Sequence, residues 1–489
     1  MPEPNGASKF IGVEIGMGTT QATAGTRHAT LHVVLIVAVA AIGGFLFGFD
    51  TAVINGAVDS IRANFALGAF LAGFAVSCAL LGSALGAWYA GSLADRYGRL
   101  RTMQVAAVLL AASAVGAGLT ASVGMLMLWR VVGGIGVGVA SVVAPTYIAE
   151  VAPAGIRGRL GSMQQLAIVL GIFVALLSDA WLSGVAGGPA RTLWAGLAAW
   201  RWMFLVALVP AAIYFVLVLL VPESPRYLVA RERLPAARAV LGKVLGLAPG
   251  GALEAKLQDI RQSLRLEHRP RLSDLLAPGG GLLPIVWVGI ALSVFQQFVG
   301  INVIFYYSNT LWHSVGFSQS NAFAISVATS ILNVLVTLLA IALVDRIGRK
   351  PLLLIGSAGM AVTLALMAGC FSQASGSGDA LVLAAPWSWI ALASANAYVV
   401  FFGVSWGPVV WVLLGEMFPN RIRAMALAVG AAAQWLANFL ITLSFPPLAH
   451  LGLAFAYGLY AAFAVLSFVF VARAVRETKG IELEDMRGA

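Results

Sequence analysis

Three side-chain amides, Gln296, Gln297 and Asn302, lie close together in the segment QQFVGINVIFYY of an otherwise apolar stretch. Burying an amide without a hydrogen-bond partner costs about 2–7 kcal/mol, so we expect these amides to bind a polar ligand. Gly300 lies between them, where it weakens the helix locally and lets another group approach the backbone. The alternative is that the amides hydrogen-bond neighbouring helices to one another.

The composition indicates that these amides lie within a membrane-spanning protein. The chain has 489 residues, of which 60% are hydrophobic and only 10% are charged, unlike a water-soluble globular domain. Apolar stretches recur along it, each long enough to cross a bilayer core of about 30 Å. Both cysteines, Cys78 and Cys370, fall in such stretches, so no disulfide framework or metal site is predicted. The predicted membrane spans are residues 30–56, 67–93, 102–121, 123–148, 158–181, 201–221, 282–311, 320–344, 351–371, 384–414, 421–444 and 451–473.

The predicted spans form two groups of six, separated by the polar segment 222–281. Apolar residues recur at helical spacing in this segment, as is typical of amphipathic helices at a membrane surface. They are Leu253, Leu257, Ile260 and Leu264. The predicted organisation is a mostly disordered cytoplasmic tail without a signal peptide (1–28), an N-terminal six-helix bundle (29–221), an intracellular amphipathic helical linker (222–281), a C-terminal six-helix bundle (282–473) and a second cytoplasmic tail (474–489).

The basic residues predict the orientation in the membrane. Nearly all of the 30 lysine and arginine residues fall in the two tails, the linker and one set of short loops. Loops rich in lysine and arginine stay in the cytoplasm, so both termini and the linker are predicted to be cytoplasmic. The net charge of +10 therefore reflects membrane orientation, and no nucleic-acid partner is predicted.

Charged motifs of the first half recur in the second half. DRYGR at 95–99 recurs as DRIGR at 345–349, and the pattern ExxPxxIR at 150–157 recurs at 416–423. Two helical bundles in parallel repeat are typical of a transporter whose halves rock about a central substrate site. We expect the charged side chains to close an intracellular gate in one state and to separate in the other, unless they merely anchor helix ends. The predicted gate residues are Asp95, Arg96, Arg99, Glu150, Arg157, Asp345, Arg346, Arg349, Glu416 and Arg423.

An acidic and a basic residue, Asp50 and Arg130, are predicted to lie inside the membrane. Counting along the first and fourth spans places both about 10 Å below the outer surface, where they would pair. Asp50 is the only acidic residue expected well inside a span. A carboxylate whose distance to a guanidinium changes also changes its proton affinity, so the pair is a candidate for proton coupling. The alternative is a static ion pair that fixes two helices.

Longer motifs resemble the sugar porter branch of the major facilitator superfamily, from about residue 30 to residue 485. The most specific are PESPRYL at 222–228, QQFVGINVIFYYSN at 296–309 and GPVVWVLLGEMFP at 407–419. The resemblance implies an all-α membrane protein with twelve transmembrane helices in two six-helix bundles. It also implies transport of a monosaccharide, a hexose or a pentose, by proton symport or by facilitated diffusion.

By position, the resemblance assigns sugar contacts to side chains of both bundles. Amides donate and accept hydrogen bonds, as sugar hydroxyls do, and aromatic faces can cover the apolar face of a pyranose. The implied sugar-binding residues are Gln165, Gln296, Gln297, Asn302, Asn333, Trp411 and Gln434, with Phe47 and Tyr306 as further aromatic contacts.

The chain departs from the family pattern at several positions. Leu100 stands where a basic residue commonly closes the first DRxGR motif, and Arg476 replaces the proline usual before ETKG. Ile172 stands where some members have a glutamine and others an isoleucine. This isoleucine removes one polar contact, so the identity of the sugar is left open.

The leading hypothesis is a secondary transporter that carries a monosaccharide with H⁺, through Asp50 and Arg130, across a bacterial inner membrane. An uncoupled sugar uniporter is the first alternative. A transport-dead sugar sensor is disfavoured because the tail after Ala472 is short. An enzyme is disfavoured because the histidines are scattered and no nucleophile–base pairing is visible. We expect no cofactor, a proton gradient as the energy source, and a monomer in the lipid bilayer.

Overall fold

The computed structural model describes residues 19–153, 157–245, 250–266, 272–277, 279–375, 382–419 and 422–478. Within these residues the chain forms helices and no β-strand. The α-helices are α1 (Thr19–Ala52), α2 (Val58–Asn64), α3 (Ala69–Tyr97), α4 (Arg99–Gly118), α5 (Val123–Val151), α6 (Arg157–Ala186), α7 (Ala199–Val206), α8 (Leu208–Leu220), α9 (Pro225–Ala230), α10 (Leu234–Leu245), α11 (Gly251–Leu266), α12 (Pro284–Phe298), α13 (Ile301–Tyr306), α14 (Ser308–Ser314), α15 (Gln319–Ile347), α16 (Arg349–Phe371), α17 (Trp387–Val404), α18 (Trp406–Met417), α19 (Arg423–Leu451) and α20 (Leu453–Ala474).

Twelve segments of the described chain are long and apolar enough to cross a membrane. Helices suit this setting because no water in the hydrocarbon core can satisfy free backbone N–H and C=O groups. The spans are Val33–Gly56, Ala69–Tyr97, Arg99–Gly118, Val123–Val151, Leu160–Ala186, Ala199–Leu220, Pro284–Tyr306, Gln319–Val344, Arg349–Phe371, Trp387–Met417, Met425–Leu451 and Leu453–Ala474. The predicted all-α class with twelve spans is confirmed.

The first helix begins earlier than the sequence analysis expects. α1 starts at Thr19, so the backbone of residues 19–28 is helical where a disordered tail was predicted. This stretch continues directly into a membrane helix, and extending an existing helix requires no new nucleus. The rest of the predicted tail, residues 1–18, lies outside the described residues.

An even number of spans returns the chain to the face at which it starts. We call the face that holds Thr19 and Ala474 the terminal face, and the opposite face the distal face. Helices α9, α10 and α11 follow the sixth span and therefore lie at the terminal face. They pack on a small apolar core of their own, which includes Leu253 and Leu257 from the predicted helical stripe.

Several spans are broken near their middle or distal ends. The first span ends in a short 3₁₀ turn at Val53–Gly56, and the tenth is interrupted at Ser405 between α17 and α18. The seventh is interrupted at Gly300, whose φ of 89° is left-handed and whose missing Cβ would lie 2.7 Å from the ring of Tyr460. The weakening expected at Gly300 is therefore a full break between α12 and α13.

Close helix packing explains the glycine-rich run 133–138 of α5. A Cβ on Gly134 would overlap the carbonyl of Ala79 on α3, and a Cβ on Gly138 would overlap the carbonyl of Ser83. Small residues let two membrane helices approach this closely. The run is therefore a packing surface between α3 and α5.

Candidate functional site

The three amides of the seventh span form a chain of hydrogen bonds. Asn302 Nδ2 donates to Gln297 Oε1 at 2.5 Å, and Gln297 Nε2 donates to Gln296 Oε1 at 3.4 Å. Gln296 Nε2 donates to the carbonyl of Trp406 at 2.8 Å and to that of Gly407 at 3.2 Å. Gln296 therefore holds the broken tenth span, as the inter-helix alternative expects. Asn302 lies at the other end of this row of hydrogen bonds and is half-buried, so it is the amide best placed to contact a ligand.

Unpaired amide oxygens mark a second part of the site. Gln434 Oε1 on α19 and Gln164 Oε1 on α6 are buried without a hydrogen-bond partner among the described residues. Gln164 is 8% exposed and packs against Gly44 of α1, whereas the predicted neighbour Gln165 is half-buried. A buried acceptor without a donor costs free energy, so a ligand hydroxyl would be favourable here. The sequence analysis missed Gln164.

Aromatic side chains connect the N-terminal group of helices, α1–α8, with the C-terminal group, α12–α20. The ring of Phe47 lies 5.3 Å from that of Trp435, a residue to which the sequence analysis assigned no role. The hydroxyl of Tyr306 lies near the side chains of Asn438 and Thr51. These contacts place the predicted Phe47 and Tyr306 at the boundary between the two groups.

Two further predicted residues lie on helices of the C-terminal group. Asn333 on α15 is buried and faces Gly403 on α17, whereas Trp411 on α18 keeps 41% of its surface exposed. Asn333 thus lies next to the helix that ends at the Ser405 break, and Trp411 follows that break by about one and a half turns.

Asp50 and Arg130 contact each other in the interior of the N-terminal group. Arg130 Nη1 lies 3.3 Å from Asp50 Oδ2 and donates to the backbone carbonyl of Asp50 at 3.0 Å. Arg130 is 2% exposed and Asp50 8%, and the guanidinium lies over the ring of Phe204, 5.9 Å from its centre. The pair is thus enclosed, and the depth argument from sequence brings together the correct residues.

Asp179 corrects the expectation that Asp50 is the only acidic residue well inside a span. Asp179 lies on α6 and is fully buried, with a relative exposure of 0%. Its Oδ2 accepts a hydrogen bond from the N–H of Gly56 at 3.2 Å. The sequence analysis ended the fifth span at residue 181, which placed Asp179 at its edge. The helix continues to Ala186 and places this carboxyl about two turns inside the helix end.

The first charged cluster ties α4 to α5 at the terminal face. Arg99 binds Glu150 through two hydrogen bonds, from Nε at 3.0 Å and from Nη2 at 2.8 Å. Asp95, with a side chain 78% exposed, lies 3.3 Å from Arg99 Nη1. Glu223 accepts from the backbone N–H groups of Arg99 and Leu100 at the start of α4. Burial raises the pKa of Glu223, and these N–H groups oppose that effect.

The second cluster repeats this geometry between α16 and α18. Arg349 donates to Glu416 from Nε at 3.0 Å and from Nη2 at 2.7 Å. Glu477 accepts from the backbone N–H groups of Arg349 and Lys350, each at 3.0 Å. Each cluster therefore lies inside one group of helices, and neither pair bridges the groups in this conformation.

The remaining predicted gate residues are less closely tied to the clusters. Arg96 and Arg346 are exposed, and the carbonyl of Arg96 accepts from Arg231 at 2.7 Å. Arg423 donates from Nε to the carbonyl of Phe418 at 3.1 Å. The side chains of Arg157 and Asp345 lie outside the described residues. The sequence analysis assigned no role to Glu223 or Glu477, which cap the N-termini of α4 and α16.

The distal face is closed by contacts between the two groups of helices. Asn55 Oδ1 accepts from the backbone N–H of Asn309 at 3.0 Å, and Thr310 Oγ1 donates to Asp59 at 2.9 Å. The ring of Phe74 meets that of Phe439 edge to face, with centres 6.3 Å apart. We call these contacts the distal seal. They join the end of the first span and α2 to α14, which follows the seventh span, and they join α3 to α19.

The described residues combine twelve membrane-spanning segments, repeated charged clusters and polar side chains where two groups of helices meet. These features define a multi-pass membrane transporter. The family model described as "Sugar (and other) transporter" matches residues 36–489, and the chain belongs to this family. Its members are transporters and not enzymes, in agreement with the sequence-based prediction.

Two relatives illustrate the range of similarity. The chain is 55% identical over 469 residues to the "Glucose transport protein" of a Synechocystis species, covering 96% of this chain and 98% of that protein. It is 37% identical over 494 residues to the "D-xylose-proton symporter" of Escherichia coli, covering 94% of this chain and 96% of that protein.

Solved structures of the Escherichia coli xylose transporter XylE share the fold. The inward open conformation superposes with a TM-score of 0.77 at 36% identity, covering 93% of this chain and 99% of that one. The proton:xylose symporter XylE bound to 6-bromo-6-deoxy-D-glucose superposes with a TM-score of 0.75 at 37% identity, covering 94% and 98%.

Proposed function

We propose that this protein carries a monosaccharide together with H⁺ across a bacterial plasma membrane by alternating access. The proposed coupling to H⁺ is supported by the contact between Arg130 Nη1 and Asp50 Oδ2, which lie 3.3 Å apart and are shielded from solvent. A guanidinium stabilises the ionised form of a carboxyl, and its withdrawal favours the protonated form. A change in this distance during the cycle would therefore bind or release a proton.

Glucose is the sugar to test first. The relative with 55% identity is named a glucose transport protein, and a structure of the xylose symporter holds a glucose derivative. Xylose and arabinose are the first alternatives, because symporters of both sugars match more than 90% of this chain.

The proposed sugar site is formed by amides and aromatic rings of both groups of helices. Sugar hydroxyls would be bound by four amide side chains, because each can still accept or donate a hydrogen bond. These are Asn302, Gln297 and, through their unpaired oxygens, Gln164 and Gln434. Trp411, Phe47 and Tyr306 would cover the apolar face of the ring. Gln165 and Asn333 are further proposed contacts, whereas Gln296 acts mainly by holding the tenth span.

We assign the terminal face to the cytoplasm, with both chain ends inside. The distribution of basic residues supports this orientation, and the closed distal seal then makes this conformation the inward-facing one. The clusters around Arg99 and Arg349 would exchange partners when the terminal face closes. The protein would work as a monomer without a cofactor, drawing on the proton gradient.

Uptake of radiolabelled sugar into proteoliposomes tests the proposal. With an inward-directed proton gradient, the protein should concentrate glucose above the external level, and dissipating the gradient should abolish accumulation but not equilibration. Equilibration without accumulation under any gradient would establish an uncoupled uniporter. Binding of sugar without flux would indicate a sensor, and a panel with xylose and arabinose identifies the substrate.

A further inference from the structure

Asp179 is a buried carboxyl that the proposed coupling through Asp50 does not use. Its side chain is fully buried on α6, and Oδ2 accepts one hydrogen bond, from the N–H of Gly56 at 3.2 Å. The second oxygen, Oδ1, is also buried and has no hydrogen-bond partner among the described residues. A carboxyl with one oxygen unpaired in the membrane interior is unusual, because buried polar groups are nearly always hydrogen-bonded.

The charged groups around α6 are committed to other contacts. α6 packs against α1, α5, α7, α15 and the 3₁₀ turn. The described charged side chains on these elements have their contacts elsewhere. Two of them form ion pairs, Arg130 with Asp50 and Glu150 with Arg99.

The other two are arginines. Arg201 donates to the carbonyls of Gly118 and Thr120, and Arg346 lies at the terminal face, at the far end of α15.

The electrostatic state of Asp179 follows from this setting. An ionised carboxylate in a low-dielectric interior is strongly disfavoured unless a cation compensates it. Asp179 forms no ion pair among the described residues and receives a single backbone hydrogen bond. The carboxyl group therefore carries a proton in this conformation.

The side chain of Asp179 contacts the 3₁₀ turn at the end of the first span, and this turn also takes part in the distal seal. Gly56 ends the 3₁₀ turn at Val53–Gly56, and a Cβ at Gly56 would lie 2.7 Å from Asp179 Oδ2. Asn55, the preceding residue, accepts the hydrogen bond from the backbone N–H of Asn309 in the C-terminal group. The turn is thus held by Asp179 on one side and by the opposite group of helices on the other.

We propose that Asp179 is a second proton-binding site, which is protonated while the distal seal is closed and loses its proton when the seal opens. Opening moves the turn away from α6 and admits water from the distal side. The carboxyl O–H bond then breaks, the proton passes to that water, and the carboxylate remains, solvated. Closure requires the carboxylate to take a proton back. The proposal rests on the alternating access proposed above but not on coupling through Asp50.

Distal pH should therefore bias the opening of the seal. The experiment places a single cysteine at Ala72, buried beside the seal on α3, in a chain with Cys78 and Cys370 replaced by serine. A membrane-impermeant maleimide added from the distal side reports opening. Each rate is divided by the rate of the same cysteine in denatured protein at the same pH, because maleimide reacts with the thiolate. We expect this corrected labelling rate to rise with distal pH, approaching tenfold per unit, the limit for one proton. Asp179→Asn, which cannot ionise, should give a slow corrected rate that does not depend on pH.

Controls separate this site from its surroundings and from Asp50. Ser178→Ala changes the neighbouring residue, whose hydroxyl bonds only within α6, and should keep the pH dependence. All labelled variants also carry Asp50→Asn, because ionisation of Asp50 would otherwise add a pH dependence of its own. Asp179→Ser provides a second neutral variant if Asp179→Asn does not fold, as judged by gel filtration.

A corrected rate that is independent of pH while Asp179 is intact would overturn the proposal, as would a pH dependence of the corrected rate that survives Asp179→Asn. Neither result depends on sugar accumulation. Failure of proton-coupled uptake would instead overturn the proposed function and leave the behaviour of Asp179 as measured.

Discussion

At the scale of single residues, the amides and the buried ion pair carry the proposed chemistry. Gln297 both donates to Gln296 and accepts from Asn302, so its side chain fixes the order of the amide chain. Asp50 and Arg130 were paired from sequence by depth alone, because two helices crossing the same bilayer bring residues at equal depth within reach. Asp179 escaped that reasoning because its depth depends on where α6 ends, which hydropathy does not specify.

Gln297→Ala should weaken sugar binding about ten- to a hundredfold. The change leaves the amide of Asn302 and a sugar hydroxyl without partners, at about 1–3 kcal/mol. Equilibrium binding of glucose to purified protein measures the effect, with Gln104→Ala on α4 as the control amide. Unchanged affinity in a folded Gln297→Ala protein would move the sugar site elsewhere.

Asp50→Asn should abolish accumulation while sparing sugar exchange. The amide keeps the shape and an acceptor toward Arg130 but cannot carry a proton. A membrane potential supplies about 2.3 kcal/mol per 100 mV for each co-transported positive charge, which sustains roughly 50-fold accumulation of sugar. The variant loses this driving force. Counterflow and gradient-driven uptake in vesicles distinguish the two activities, with Asp259→Asn on α11 as the control. Accumulation at the parent level would exclude Asp50 as the coupling site.

At the scale of helices, the breaks in the membrane spans position the site. Gly300 was predictable as a weak point, because glycine favours no single backbone conformation. The break at Ser405 lies between Gly403 and Pro408, and Pro408 has no N–H to donate to the carbonyl of Val404. Gln296 binds the carbonyls of Trp406 and Gly407 just after it. Local sequence therefore indicates where these spans can break, but not which side chain of another helix stabilises the break.

Gly300→Ala should destabilise the protein, by about 1–3 kcal/mol. Alanine disfavours the left-handed φ of 89°, and its Cβ would lie 2.7 Å from Tyr460. Gly458→Ala is the matched control, since it lies mid-helix on α20 with open space around it. Thermal unfolding in detergent compares them. Equal melting temperatures would mean that α12 and α13 join without strain.

Arg349→Ala should slow transport more than it weakens binding. The substitution removes both hydrogen bonds to Glu416 and loosens α16 from α18 without touching the sugar site. A change of about 1.4 kcal/mol in the balance between states corresponds to a tenfold change in their populations. Glucose affinity should stay within about threefold, and uptake should fall on the order of tenfold. Arg473→Ala on α20 is the control, and a loss of binding in folded protein would contradict the gate role.

At the scale of the whole molecule, two similar groups of helices meet at a seal on one face. The sequence indicated the two groups through their repeated motifs, but not which face is closed. That information lies in long-range contacts, such as Asn55 with Asn309, whose residues are hundreds of positions apart and belong to no repeated motif.

Asn55→Ala should shift the protein toward the distal-open state, by on the order of tenfold. The change leaves the buried N–H of Asn309 without its acceptor, at about 1–3 kcal/mol, in the closed state only. Labelling of a cysteine at Ala72 measures the shift. Asn64→Ala, at the exposed end of α2, should leave the rate unchanged. Equal rates in both variants would mean that the seal is held elsewhere.

The capping of α4 and α16 by acidic residues also sets the order in which the molecule can be completed. The last residue of the N-terminal cluster in the sequence is Glu223. This cluster can therefore assemble while the second half of the protein is still being synthesised. The C-terminal cluster waits for Glu477 and for Thr478, whose hydroxyl donates to Glu416 at 2.6 Å. Since domains fold from the N-terminus during synthesis, the first bundle can serve as a finished template against which the second is inserted.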